Sequence, residues 1–376
     1  MEIVIIKSLH EYKKFIHELY VGDECFKDNK SGLLPIVCCK KSAFYKNSIQ
    51  KMVAVKEGER TLCQAIFIRH KNAMNIVSVA FFEALPDQQE AVDMLVRSAE
   101  EFAAQVIAEE FAAQKNVENC EKAEKIIFGL DGHCNNGVGF GTSGRGFPTF
   151  GESYNKEYYQ GYFKEFDEIG FVSYIGSIGN AEEQIKKDTA FLKNRNSGNG
   201  IVFEFADFNP AGFTRTMKRY TDLNNKIFTG QRYYFKREYE EDHDLFHAMR
   251  PLLKNENMIF ARKDNMDIGF ILWYPDFNEF AEKGRGAGIS TFIRYRLLAQ
   301  SPKKAKVVEI GLTEGQKNSA LILLLFAKAI ESAEKYKKMD TVMSSWILDE
   351  NGPSKNITQR YTNDIYKRFA AYEKNI

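Results

Sequence analysis

The chain has 376 residues, 44% of them hydrophobic and 27% charged, and its 52 basic and 51 acidic side chains leave a net charge of +1. That length allows two domains of ordinary size, and that composition allows each a sizeable core. The even charge balance argues against nucleic acid or an anionic membrane surface as the partner.

The opening stretch, MEIVIIKSLHEYKKF, has no basic start, long apolar region or small-residue cleavage site of the kind a secreted chain carries. It reads as a short strand followed by a helix over 8–20, with Ser8 as its cap. Residues 50–70 read as two strands joined at KEGE, and 74–85 as a third. A long amphipathic helix is expected over 86–114, opened by Pro86, then a strand over 124–130. A glycine-rich stretch, 129–151, follows a strand but opens no βαβ unit, so it is read as a loop and not a dinucleotide site. Within it Asp131, His133 and Cys134 offer metal or thiol–imidazole chemistry but lack a further partner. The aromatic block 154–166 suits either an acyl groove or core packing. Six cysteines in a chain this long, with no secretion signal, point to reduced thiols and a cytoplasmic location, and without a CxxC pair no metal site is expected.

After a linker-like NRNSGNG at 194–200 the order of elements repeats. A strand over 201–208 leads to two helical stretches, a hairpin over 257–276 turning at KDNM, and a helical connection through 285–302. A strand over 306–312, a polar loop, a helix over 319–337 and a strand over 340–347 complete the pattern. The longest apolar run, ALILLLFA at 320–327, is far short of the roughly 20 residues needed to cross a bilayer. His243 and His247 lie four apart on a charged helix without the glutamate of HExxH, and are read as surface residues. The whole is expected to be α/β: two copies of one fold, residues 1–193 and 194–376, each a mixed, mostly antiparallel twisted sheet flanked by helices.

Three C-terminal pieces, ILWYPDFNEF (271–280), SWILDEN (345–351) and IYKRFAAYEK (365–374), together with FFEALPDQQEAVDMLVRSAEEF in the first half, resemble the GNAT (N-acetyltransferase) superfamily, and within it a tandem-GNAT group. The resemblance implies that the fourth and fifth strands splay apart and that the pantetheine of acyl-CoA fills the gap. It also implies a pyrophosphate loop of the form Q/R-x-x-G-x-G/A on the helix that follows. Gln316 takes the first of those positions, Ser319 stands where the glycine is expected and Leu321 where glycine or alanine is. The amides that open a helix still favour an anion there. Gln316, Lys317, Asn318, Ser319 and Ala320 are the candidate cofactor contacts, with Asn351 toward the pantetheine or adenine, or in a turn or cap. Gly311 and Leu312 would supply the oxyanion amide. Glu309, a carboxylate in an apolar strand, is the candidate base, unless it faces solvent on the strand's other side. Tyr361 and Tyr366 are the candidates for protonating the leaving thiolate, and Asp276 for binding the amine, unless it forms an Asx-turn with Asn278.

These readings converge on transfer of an acyl group from acyl-CoA, or from the pantetheine of an acyl carrier protein, to a small-molecule amine. The alternative is a catalytically silent tandem module that binds a ligand or partner. Transfer from charged tRNA is disfavoured by the absence of a basic arm. The C-terminal half is expected to hold the thioester, because Pro86 and Asp87 replace the loop in the N-terminal half.

Overall fold

A computed structural model describes residues 1–105, 122–144, 146–194, 200–315 and 319–376. The chain begins with β1 (Glu2–Ile5), α1 (Leu9–Leu19), α2 (Asn29–Cys38), α3 (Ala43–Lys46), β2 (Ser48–Glu57), β3 (Arg60–His70) and β4 (Ala73–Ala84). It continues through α4 (Gln89–Ala104), β5 (Lys125–Phe128), β6 (Phe140–Ser143), α5 (Tyr159–Tyr162), β7 (Asp167–Ser177) and α6 (Ile178–Asn194). There follow β8 (Ile201–Phe205), α7 (Pro210–Phe228), α8 (Tyr239–Met249), β9 (Met258–Lys263), β10 (Met266–Pro275) and α9 (Ile289–Phe292). The last elements are β11 (Lys304–Leu312), α10 (Ser319–Ala333), β12 (Thr341–Ser344), β13 (Ile347–Leu348), α11 (Gly352–Gln359) and β14 (Asp364–Asn375). Ser8 caps α1 as expected, accepting from the Glu11 amide at 3.2 Å. The expected linker falls largely outside the described residues, as does the end of the helix expected over 86–114.

Two compact units result. The first joins Met1–Phe171 with Lys283–Gly286 and Arg368–Ile376, and the second joins Val172–Glu282 with Ala287–Lys367. The division therefore falls at 171/172 and not at 193/194, and the closing residues return to the first unit. Backbone pairing is the cause: Tyr372 to Asn375 of β14 lie antiparallel to Phe128 to Lys125 of β5.

In the N-terminal unit the strands run β1-β2-β3-β4-β5-β14, and β4–β5 is the parallel pair. The apolar stripe of α4 (Ala91, Leu95, Ala99, Phe102) closes a core with Phe67, Val77, Val79, Phe128 and Tyr372. In the C-terminal unit the order is β7-β12-β11-β10-β9-β8, with β11–β12 parallel. Each is a mixed, mostly antiparallel sheet flanked by helices, as expected.

Both units share one device. The β4–β5 ladder stops at Val79↔Phe128 while β4 runs on to Ala84, and the β11–β12 ladder stops at Val307↔Ser344 while β11 runs on to Leu312. A bulge sits at each parting: Ile66↔Ala80 is followed by Gln64↔Glu83, and Trp273↔Val307 by Leu272↔Glu309. The extra residues bend the long strand away from its parallel neighbour. A glutamate follows each bulge directly.

Close backbone approach matters on β10. A Cβ at Gly269 would stand 2.6 Å from the Gly311 carbonyl oxygen of β11. Gly269→Ala is expected to cost about 1–3 kcal/mol of stability, measured by urea unfolding, because backbone in a ladder cannot step aside.

Candidate active site

Glu309 lies on β11 just past the bulge, turned toward α7. Its Oε2 accepts from the Tyr220 hydroxyl and from Asn224 Nδ2, each at 2.7 Å. Tyr220 and Asn224 are four apart on α7 and so share its inner face. Behind them Arg237 donates to Asn224 Oδ1 at 3.3 Å and holds Asp242 at 2.6 Å, and Thr221 donates to the other Asp242 oxygen at 2.7 Å. Arg237 and Asp242 are buried. The alternative that Glu309 points freely into solvent is set aside by these contacts, although the residue keeps some exposure. Burial raises the Glu309 carboxyl above its usual range, against the pull of Arg237 and the two hydrogen bonds.

Val307 to Ile310 are each half-buried, so this stretch of β11 keeps contact with solvent. The Thr313 amide donates to Ile268 O of β10 at 2.9 Å. Strand alternation then turns the Leu312 and Ile310 amides to the edge that β12 has left. Gly311, by contrast, meets α7: a Cβ there would stand 2.5 Å from Ile227 Cγ2.

The remaining expected site residues divide. Gln316, Lys317 and Asn318 lie outside the described residues, and Ser319 opens α10. Ala320 and Leu321 are buried in the helix's first turn, so Leu321 is a core residue. Asn351 caps α11, its side chain accepting from the Ser354 amide at 3.1 Å. Asp276 is buried and accepts from the Asn278 amide at 3.1 Å, which is the Asx-turn. The Tyr361 hydroxyl donates to Asp188 at 3.0 Å, and the ring packs on Phe326 of α10. The hydroxyl expected to protonate the thiolate is thus buried and bonded to a carboxylate that Arg360 also grips. Tyr366 is half-buried on β14 with the Lys367 ammonium 4.8 Å from its ring. His243 and His247 stack near Phe213.

Sequence reading missed the N-terminal counterpart. Glu83 is fully buried, with Lys30 at 2.6 Å from one oxygen and the hydroxyls of Tyr20 (2.9 Å) and Tyr159 (2.6 Å) on the other. Burial by itself would lower the Lys30 ammonium, but Glu83 and Asp131 beside it hold it above its usual range. The bulge residue Phe81 has φ +52°, a strained value for a side-chain-bearing residue. Its amide is held by Asp131 at 2.7 Å and its carbonyl by the Tyr12 hydroxyl at 2.7 Å. The signal was present: FFEALP and VVEIGL place a glutamate in the same apolar setting.

Each unit thus parts a parallel strand pair after a bulge that a glutamate follows, and the chain has a tandem GNAT fold. Among solved structures it is similar, at a TM-score of 0.52 and 10% identity, to a tandem GNAT protein from the clavulanic acid biosynthesis pathway solved without AcCoA, over 100% of this chain and 98% of that one. It is also similar, at 0.55 and 10% identity, to the GCN5-related glucosamine N-acetyltransferase region of a fungal multi-domain GH3 beta-N-acetylglucosaminidase, over 99% of this chain and 38% of that one. Among curated proteins, Protein YghO of Escherichia coli (strain K12) is 27% identical over 135 residues, and the match spans 34% of this chain and 34% of that protein. No protein-family model matches the chain. Among the described residues, no helix is long and apolar enough to cross a membrane.

Proposed function

We propose that the chain is an N-acyltransferase that moves an acyl group from a pantetheine thioester to a small-molecule amine at the parting of β11 and β12. The observation that carries this reading is the half-buried β11 edge past the bulge, beside a carboxylate with a raised pKa. The GNAT-fold neighbour named as a glucosamine N-acetyltransferase region supports the class.

In this reading Glu309 takes the proton from the incoming ammonium, directly or through water. The amine nitrogen bonds to the thioester carbon, and the Ile310 and Leu312 amides receive the oxygen's developing charge. As the C–S bond breaks the nitrogen sheds its second proton, which goes to the departing thiolate to give the thiol, while the first passes from Glu309 to solvent. With acyl-CoA as donor, the diphosphate belongs on the loop Gln316–Ala320. A carrier-protein donor brings pantetheine without that diphosphate and tolerates Ser319 in place of glycine. The same departure, together with the buried Leu321, favours the second reading of a silent binding module.

Calorimetric titration with acetyl-CoA tests the donor. Micromolar binding by the natural chain that Ser319→Glu abolishes is the expected result, since a carboxylate at the helix start repels the diphosphate. No binding by the natural chain removes CoA as the donor.

A further inference from the structure

We infer that the N-terminal unit is a self-liganded cleft, filled by the chain's own tyrosines of α5 and the residue before it, with Tyr159 as the principal occupant. The argument is an internal comparison. β4 and β11 part from their parallel neighbours in the same way, and Glu83 and Glu309 follow the bulge in the same register relation to the preceding strand. The β11 edge is half-buried there, whereas every residue of β4 from Val77 to Ala84 is buried.

What buries it is specific. The Leu85 amide donates to Leu62 O of β3, so the Ala84 amide faces the opposite edge, as the Ile310 amide does in β11. That Ala84 amide donates to the Tyr159 hydroxyl at 2.9 Å, and the same hydroxyl donates to Glu83 at 2.6 Å. The phenol oxygen is thus clamped between the carboxylate and the next residue's amide. Tyr158 donates to Ala84 O at 2.8 Å. Tyr162 donates to Leu85 O and accepts from the Gln88 amide at 3.2 Å, beside the start of α4. Three tyrosines from one five-residue segment therefore bond the Glu83 carboxylate and backbone groups of Ala84, Leu85 and Gln88. The Tyr159 ring is fully buried and packs edge-on to Phe82 and Phe140. This is the recognition of a para-substituted phenol, with an apolar slot for the ring and a donor–acceptor pair for its hydroxyl.

Two consequences can be measured on the full chain, and neither depends on the C-terminal unit being an enzyme. Tyr159→Ala vacates the slot and is expected to melt about 10 °C below the natural protein. Millimolar p-cresol should raise the melting temperature of that variant by several degrees, toluene should raise it less, and the natural protein should not respond. A folded Tyr159→Ala protein indifferent to p-cresol overturns the inference. If that variant does not fold, Tyr159→Phe carries the test through hydrogen exchange. The Ala84 amide should then exchange at least about tenfold faster while the Leu85 amide, bonded to β3, is unchanged; an unaltered Ala84 rate overturns the inference. Acetyl-CoA titration of the natural chain gives a separate check. At most one equivalent is expected, and two overturn the self-filled cleft. Zero equivalents agree with it and count only against CoA use by the C-terminal unit.

Discussion

Replacing Arg237 by methionine is expected to destabilise the C-terminal unit by about 3–5 kcal/mol, because it leaves a buried carboxylate without its counter-charge. Arg237 and Asp242 are both buried and lie 2.6 Å apart. Even with the guanidinium present, burial pushes the Asp242 carboxyl up to about 6. Thr221 supplies one hydrogen bond to it, which cannot replace a full charge. Exchanging both partners for apolar residues of similar volume should recover most of the loss, so the double variant separates the cost of an orphaned charge from the worth of the pair. Urea unfolding followed by tryptophan fluorescence reads this cleanly, since both tryptophans, Trp273 and Trp346, belong to the C-terminal unit.

The second large effect is on rate. In the proposed reaction Glu309→Gln should lower kcat by roughly 10²–10⁴-fold, the range that a positioned general base supplies. The substitution is nearly isosteric, and the glutamine oxygen can still accept from Tyr220 and Asn224, so the fold should survive. The sign of the pH dependence follows from the raised carboxyl. A base works only when ionised, so kcat/KM should fall as pH drops through a pKa above the ordinary glutamate value of about 4.3. That limb should vanish in Glu309→Gln. Removing Arg237, which opposes the rise, should move the limb to still higher pH in any variant that stays folded. A rate profile flat in pH for the natural protein would take Glu309 out of the proton-transfer role.

How much of this could be read from the chain depends on how far apart the partners lie. β9 and β10 announced themselves through apolar character and a tight turn, and α10 through its apolar run, because those signals lie within a dozen residues. Glu309 stood out as a charge in an apolar strand. Its anchors did not, since Tyr220 and Asn224 are 89 and 85 residues away and look like ordinary helix positions. Tyr159 lies 76 residues from Glu83, and an aromatic block gives no sign of which cleft its hydroxyls enter. Asp276 and Asn351 show the opposite case. Their turn and cap roles are settled by neighbours two and three residues on, and local sequence allowed for both. The expected boundary rested on a glycine- and asparagine-rich stretch, a composition signal, whereas membership of the two compact units follows strand pairing.

That pairing also orders events during synthesis. β5 receives its antiparallel neighbour from residues 372–375, and Ala370 and Phe369 pair with β6. The strand partner of Lys125–Phe128 therefore leaves the ribosome about 250 residues after β5 itself. Until then the nascent N-terminal unit presents a bare apolar sheet margin, a surface that invites chaperone capture or mispairing. Its completion waits on a strand made long after the rest of its sheet.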